Sequence, residues 1–228
     1  MNSICIIPAR GGSKRIPRKN IKPFLGKPII AYSIEAAFKS GIFNEVMVST
    51  DDEEIAAVAK QHGASVPFLR SAETAGDYAT TVDVLLEVIS RYKERGLSFD
   101  IVCCLYSTAP FVTPDRIKDA ASLITDDVDA CFTMVQYSYP VQRSLRIDKN
   151  GFVAMTFPEH LTKRTQDLEK IYHDAGQFYF VKTNALVNEK TVWCKRTKPL
   201  VLSELEVQDL DTITDWQLAE MKYQLLNK

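Results

Sequence analysis

Short apolar strands and amphipathic helices alternate along the chain as far as Val135, and this alternation constrains the fold more than any other feature. The runs SICIIPA, EVMVST, SVPFLR, DIVCCLY and DACFTMV have the length and composition of buried strands. The segments PIIAYSIEAAFKSG, EEIAAVAKQHG, VDVLLEVISRYKERG and DRIKDAASLI have helical periodicity and begin at capping residues or prolines. Such alternation predicts an α/β fold: an open, mostly parallel, Rossmann-like sheet with helices on both faces.

The pattern changes after about residue 136. VQRSLRIDKNGFVAM predicts a small hairpin with Asn150-Gly151 as its turn, and QFYFVKT predicts a further strand. DTITDWQLAEMKYQLL predicts a C-terminal helix with Trp216, Leu218, Met221 and Leu225 near one face. We therefore predict one domain over residues 1–228, with an insertion at about 137–172 that covers a site or forms a subunit contact.

Composition excludes several classes of partner. The chain has 28 Lys plus Arg against 29 Asp plus Glu, so its net charge of -1 gives no general attraction to nucleic acid or to a membrane surface. No apolar run reaches membrane-spanning length, and the N-terminal run is too short for a signal peptide. The five cysteines are odd in number and lack a C-x-x-C spacing, which favours reduced core residues in a cytoplasmic protein.

The loop after the first strand, PARGGSKRIPRKN, is an island of positive charge. It continues to Lys22 with six basic residues, and no acid follows until Glu35. In an open parallel sheet ligands bind at the carboxyl ends of strands, and the pair Gly11-Gly12 lets backbone N–H groups approach an anion. The loop matches neither the P-loop nor the G-x-G-x-x-G pattern. A polyphosphate site, a solvated basic loop and, with less support because aromatics are absent, a nucleic-acid contact all stay open at this point.

A pair of acids lies near the other end of the chain. Asp209 and Asp211 are two residues apart in VQDLDT, so in an extended segment both side chains point to one face. Two carboxylates on one face suit Mg²⁺, which keeps waters and phosphate oxygens as its other ligands. The alternative is that Asp211 caps the following helix and Asp209 is solvated.

Several stretches together resemble one enzyme family. ICIIPARGGSKRIPRKNIKPFLGKPIIAYSIEAA, EVMVSTDDEEIA, LYSTAPFVT, KRTQDLEKIYHDAGQFYF and LSELEVQDLDTITDW are similar to the CMP-sugar synthetases, cytidylyltransferases that activate nine-carbon sialic-acid-like sugars. Within the family, the chain is most similar to members that use pseudaminic acid. The resemblance implies a nucleotidyltransferase fold, transfer of CMP from CTP to the sugar's anomeric hydroxyl with release of pyrophosphate, Mg²⁺ as cofactor, and a homodimer built through residues 137–160.

The resemblance also implies roles for individual residues. It assigns catalysis to Arg10, Lys19, Asp209 and Asp211, and places the metal on the two aspartates. It assigns CTP binding to Ala9, Arg10, Gly11, Gly12, Ser13, Lys19, Asn20, Arg70, Ala79 and Thr80. By itself Arg70 is equally consistent with a surface arginine, and Thr80 with a simple helix cap.

An acidic nine-carbon sugar needs a cation for its carboxylate and polar groups for its hydroxyl and acetamido groups. The candidates are Tyr106, Arg143, Arg164, Gln166, Tyr172, His173 and Gln177, of which Arg164 matches the family position for the carboxylate. Tyr106 replaces a glutamine of the sialic acid enzymes, which argues against N-acetylneuraminic acid. Other acceptors, namely legionaminic acid, N-acetylneuraminic acid or 3-deoxy-manno-octulosonate, remain alternatives. A non-catalytic nucleotide-binding module is a third reading.

Overall fold

The computed structural model describes residues 1–227, and strands alternate with helices over most of this length. The strands are β1 (Ser3–Pro8), β2 (Pro23–Phe24), β3 (Lys27–Pro28), β4 (Glu45–Ser49), β5 (Ile101–Leu105), β6 (Ala130–Gln136), β7 (Leu145–Ile147), β8 (Val153–Met155), β9 (Tyr172–Lys182) and β10 (Thr197–Leu202). The helices are α1 (Ile29–Ser40), α2 (Glu53–Gln61), α3 (Ala72–Ala75), α4 (Thr81–Glu94), α5 (Pro114–Ser122), α6 (Thr183–Glu189) and α7 (Ile213–Leu226).

Six strands form one mixed sheet in the order β10-β6-β9-β5-β1-β4. Strand β1 pairs in parallel with both β4 and β5, and β10 pairs in parallel with β6. Strand β9 is antiparallel to both of its neighbours, so it alone runs against the other five. The predicted mostly parallel sheet is therefore confirmed, with one reversed strand that the sequence did not indicate.

Helices cover both faces of this sheet, as predicted. On one face Ile34 of α1, Ile55 of α2 and Ile117 of α5 join a core with the inward side chains of β1, β4 and β5. On the other face Leu85 of α4 and Leu186 of α6 pack on the alternate residues of the same strands. All five cysteines are buried and free. Because both faces are covered, the central strands β1 and β5 consist almost wholly of buried residues.

The carboxyl ends of β1, β4 and β5 meet at one edge of the sheet. Chain order changes direction here, because β4 lies on one side of β1 and β5 lies on the other. This is a topological switch point, where the loops after neighbouring strands diverge and leave a crevice. The basic loop after β1 therefore lies where the sequence analysis expected a ligand.

Two local predictions are wrong. SVPFLR forms no full strand, because only Ser65 pairs with β4 before Pro67, which lacks a backbone N–H. The C-terminal helix α7 buries Trp216 and Ala219, whereas Leu218, Met221 and Leu225 are exposed on its other side. Trp216 instead meets Phe24 edge-on, with ring centroids 5.6 Å apart, so α7 packs on the segment between the basic loop and α1.

The insertion connects β6 to β9. It contains the predicted hairpin, β7–β8, with Gly151 at a φ of 85° in the turn. Asp148 closes the turn by accepting hydrogen bonds from the backbone N–H groups of Asn150 and Phe152. Strand β9 begins at Tyr172, five residues before the predicted QFYFVKT strand, and its pairing with β6 shifts between Phe132 and Met134. Across residues 1–227, no helix combines the length and the apolar character needed to cross a membrane.

Candidate active site

The basic loop is held against the start of α2 by acidic residues. The backbone N–H of Gly11 donates to Asp51, and the guanidinium of Arg18 donates to Asp52 Oδ2 at 2.5 Å. Asp52 also caps α2, and its hydrogen bond with Arg18 lowers the pKa of the Asp52 carboxyl. A Cβ on Gly11 would lie 2.7 Å from Asp52 Oδ2, so only glycine permits this approach. These contacts fix the loop before any ligand arrives.

Asn20 ties the far end of the loop to the end of β5. Its side-chain amide donates to the carbonyl oxygen of Arg10 at 2.8 Å, and its Oδ1 accepts a hydrogen bond from Ser107 at 2.9 Å. The residue is buried, and both ends of the amide are used. In this state Asn20 positions the loop.

A cavity of about 690 Å³ lies between this loop, the end of β5 and the start of α4. The predicted site residues that line it are Arg10, Ser13, Lys19, Asn20, Arg70, Ala79, Thr80 and Tyr106. Two further basic residues, Lys14 and Arg15, complete a group of five cations around the space. Within the described part of the chain, Asp77 is the single acid of the lining. The cavity therefore has the charge that a polyphosphate requires.

Two of these cations are partly buried. Arg70 donates from Nη2 to the carbonyl oxygen of Ser49 at 2.6 Å, and Lys19 donates from Nζ to the carbonyl oxygen of Leu210 at 2.9 Å. Burial lowers the pKa of both side chains. Cations that have already lost part of their hydration interact more strongly with an incoming anion than exposed ones do.

The remaining loop candidates lie behind the lining. Ala9 is buried at the end of β1, and Gly11 packs on Asp52. A Cβ on Gly12 would meet nothing within 4 Å, so contacts within the protein do not require a glycine there. Of the six basic residues between Arg10 and Lys22, Arg18 pairs with acids on α2 and Lys22 lies over the ring of Trp216. The other four line the cavity.

The start of α4 forms the opposite wall. Thr80 caps the helix, accepting from the N–H of Asp83 while the Asp83 carboxylate accepts from the N–H of Thr80. The capping role considered for Thr80 is therefore present. The hydroxyls of Thr81 and Tyr106 are 3.3 Å apart, which joins this wall to the cavity floor.

The acidic pair approaches the loop from the C-terminal side. Asp211 forms an ion pair with Arg15 at 2.7 Å, and the capping role considered for it belongs instead to Thr212, in a capping box with Asp215. Asp209 accepts from the backbone N–H of Leu210. Burial lowers the pKa of Lys19, and attraction to Asp211 and Asp209 partly offsets this effect. Basic loop and acidic pair thus meet in space.

These acids suit a cation that is held mainly by its substrate. In residues 1–227 no group of three or more His, Cys, Asp or Glu side chains is placed to hold a metal ion. Two carboxylates beside a polyphosphate cavity match the donor set of Mg²⁺, which typically uses one or two protein carboxylates with phosphate oxygens and waters. Asp209 and Asp211 are the residues that could hold it.

The acceptor candidates are dispersed. His173 and Asp209 line a second cavity of about 400 Å³, together with Asp174 and Lys222. Tyr106 lines the first cavity, and Tyr172 lines a third, of about 420 Å³. Gln177 is buried and donates to the carbonyl oxygen of Glu206.

Three acceptor candidates lie outside these cavities. Arg164 is exposed and pairs with Asp167 at 2.7 Å within its own turn, and Gln166 is exposed beside it. Arg143 donates to the carbonyl oxygens of Leu161 and Lys163, which stabilises the insertion. Their roles toward a sugar remain predictions.

Arg15 and Asp77 are two of the lining residues that were not among the predicted site residues. Arg15 belongs to the basic cluster, so its charge was visible, but its pairing with Asp211 spans nearly the whole chain. No local signal distinguishes Asp77 from the other exposed acids of the chain, because its partners lie 63 and 67 positions earlier.

The chain is similar to known proteins in both sequence and structure. A family model described as "Cytidylyltransferase" matches residues 4–221. The chain is 44% identical over 226 residues to a pseudaminic acid cytidylyltransferase of Campylobacter jejuni, covering 99% of this chain and 97% of that protein. It is 34% identical to a CMP-N,N'-diacetyllegionaminic acid synthase of Legionella pneumophila, covering 99% and 97%. A CMP:2-keto-3-deoxy-manno-octonic acid synthetase shares the fold, with a TM-score of 0.71 at 18% identity over 100% of this chain and 99% of that one. The chain belongs to the cytidylyltransferase family.

Proposed function

We propose that the protein transfers CMP from CTP to the anomeric hydroxyl of pseudaminic acid and releases pyrophosphate. The observation that carries this proposal is the cavity at the carboxyl end of β1, where five cations surround a space of about 690 Å³. The 44% identical Campylobacter jejuni protein, named for this activity, supports the choice of sugar. The product is an activated sugar donor for surface glycans or flagellin.

The chemistry follows from charge. The anomeric oxygen of the sugar attacks the α-phosphorus of CTP, the bond from that phosphorus to the bridging oxygen breaks, and pyrophosphate leaves with the bonding electrons. The hydroxyl proton passes to solvent. Arg10 and Lys19 neutralise the triphosphate, and Arg70 adds a partly buried cation beside the end of β4. Phosphoryl chemistry of this kind depends on positioning and charge stabilisation more than on covalent help.

We further propose Mg²⁺ as the cofactor, held by Asp209 and Asp211 with phosphate oxygens. When bound, it would supply positive charge to the triphosphate and lower the pKa of a coordinated hydroxyl. Lys19 links this acidic pair to the basic loop, since its Nζ donates a hydrogen bond to the carbonyl oxygen of Leu210, between the two aspartates.

A homodimer is a further proposal, supported by the insertion. Leu145 and Ile147 of β7 and Phe152 and Val153 at β8 are exposed by 64–76%, an unusual density of apolar side chains for a small hairpin. A second copy of the chain would cover them, with the two insertions in contact. Sedimentation equilibrium of the wild type and of Ile147→Asp tests this: we expect a dimer that the aspartate shifts to monomer, and a monomeric wild type would contradict it.

We propose the cytoplasm as the location, since CTP is made there and the five buried cysteines are free. Cell fractionation with an antibody to the protein tests this placement.

A panel of acceptors tests the sugar. The enzyme is incubated with CTP, Mg²⁺ and, in turn, pseudaminic, legionaminic, N-acetylneuraminic and 3-deoxy-manno-octulosonic acids, and kcat/KM is taken from pyrophosphate release. We expect the highest value with pseudaminic acid. A higher value with legionaminic acid would favour the second candidate, which the 34% identical Legionella pneumophila protein supports. Tight CTP binding without turnover on any acceptor would indicate a binding module.

A further inference from the structure

One carboxylate, that of Asp77, engages two cations of the proposed nucleotide cavity. Asp77 Oδ1 accepts from Arg10 Nη1 at 3.0 Å, and Asp77 Oδ2 accepts from Lys14 Nζ at 2.6 Å. Each carboxylate oxygen thus serves a different cation, the arrangement that two oxygens of a phosphate group would adopt between the same side chains.

Asp77 lies in a segment that is fixed at both ends and free in the middle. At one end Ser71 and Thr74 hydrogen-bond Glu87 on α4, and at the other Thr80 is locked in its capping box. Between them Tyr78 is 99% exposed. The ion pairs of Asp77 are the side-chain contacts that hold this middle part to the basic loop. Losing them would leave the segment's anchors intact.

A triphosphate and Asp77 cannot both use Arg10 and Lys14 fully, because both cations line the cavity and each is already paired with the carboxylate. We propose that Asp77 is a positioning residue that competes with the triphosphate: its carboxylate pairs with Arg10 and Lys14, and CTP displaces it from both cations on binding. This inference rests on the proposed function, which places the triphosphate in this cavity.

The competition is weak enough to be reversible. Arg10, Lys14 and Asp77 are each exposed by 42–76% at the side chain, and exposed ion pairs individually change an equilibrium by a factor of about 1.4 to 5. The hydrogen bond from Lys14 lowers the pKa of Asp77, so the carboxylate is ionised at neutral pH. Removing the charge should therefore tighten triphosphate binding by about 3- to 10-fold.

Isothermal titration calorimetry tests the competition with four proteins: the wild type, Asp77→Asn, Asp77→Glu and the control Glu73→Gln. Glu73 is an exposed acid of the same segment, on α3, and makes no ion pair among residues 1–227. Glu73→Gln therefore removes the same single negative charge as Asp77→Asn. The ligands are CTP, tripolyphosphate and cytidine. We expect Asp77→Asn to lower Kd for CTP and tripolyphosphate by about 3- to 10-fold and to leave cytidine unchanged. Asp77→Glu and Glu73→Gln should stay within about twofold of the wild type, and the gain should shrink at high salt.

Unchanged or weaker CTP binding by Asp77→Asn would overturn the inference, as would equal tightening in Glu73→Gln, since that would be a bulk charge effect. Two further outcomes distinguish a failure of the proposed function from a failure of the Asp77 competition. A wild type that neither binds CTP nor forms a CMP-sugar contradicts the proposed function. A wild type that does both, with an Asp77→Asn variant of unaltered affinity, contradicts the competition alone.

Discussion

Lys19 Nζ donates a hydrogen bond to the backbone carbonyl of Leu210 at 2.9 Å, across 191 positions of the sequence. Leu210 separates Asp209 from Asp211, so this single contact places a cation of the basic loop at the acidic pair. The ion pair between Arg15 and Asp211 makes a second connection between the same two segments. The first strand's loop and the segment before the last helix therefore form one site.

The pH dependence of CTP use should report on Lys19. Burial lowers the pKa of Lys19 below that of a free lysine. As the pH rises, Lys19 therefore loses its charge earlier than an exposed lysine would, and CTP affinity falls with it. Lys19→Arg keeps its charge, and we expect the alkaline fall in kcat/KM for CTP to move to higher pH. Lys22→Arg is the matched control, because Lys22 lies over Trp216. If kcat/KM falls at the same alkaline pH in all three proteins, the fall is due to a group other than Lys19.

Asp211→Asn should reduce turnover by about 10²-fold or more and raise the Mg²⁺ concentration needed for half-maximal rate. The reason is that one of two carboxylates available to the metal is neutralised. Asp115→Asn serves as control, since Asp115 is an exposed acid on α5. A Mg²⁺ titration of the rate checks the prediction. Wild-type turnover and an unaltered Mg²⁺ requirement in Asp211→Asn would remove Asp211 from the metal site.

Replacing each of the two loop glycines by alanine should change the stability of the protein by different amounts. Gly11→Ala places a Cβ 2.7 Å from Asp52 Oδ2, and Asp52 cannot move freely because it caps α2 and pairs with Arg18. We expect a loss of about 1–3 kcal/mol in the free energy of unfolding, measured by urea denaturation. Gly12→Ala meets nothing and should change stability by less than about 0.5 kcal/mol. Equal stability of both variants would contradict the packing described for Gly11.

Periodicity predicted the sheet and its helices because buried strands and one-sided helices are local patterns. It placed Trp216 on the same face as Leu218, whereas the structure buries Trp216 against Phe24 and exposes Leu218. When a helix is apolar on two sides, the sequence does not show which side meets the core; the tertiary partner decides. The reversed direction of β9 is equally non-local, since an isolated apolar strand carries no sign of its orientation.

The site was predictable only in part, for the same reason. The loop's charge was visible, but the division of its basic residues was not: Arg18 pairs with Asp52, and Lys14 faces the cavity. Asp77 carries no local signal and gains its role from two distant cations. Arg164, assigned by resemblance, lies on the exposed insertion, outside the cavities of this single chain.

The role of Arg164 can still be tested directly. If it binds the carboxylate of the acceptor, in a dimer or after movement of the insertion, Arg164→Ala should raise the sugar KM by about tenfold or more and leave the CTP KM unchanged. Arg146→Ala, on the neighbouring hairpin strand β7, is the control. Steady-state kinetics with each substrate varied in turn separate the two constants. An unaltered sugar KM would mean that the carboxylate binds elsewhere.

In the proposed reaction one site, built from the basic loop and the acidic pair, joins CMP to the sugar. Phosphorus NMR of the wild type with CTP, Mg²⁺ and pseudaminic acid observes the bond itself. We expect the three CTP resonances to be replaced by pyrophosphate and by one phosphodiester signal of a CMP-sugar, and Asp211→Asn to slow this conversion by about 10²-fold or more. Unchanged CTP resonances with the wild type on every acceptor of the panel would contradict it.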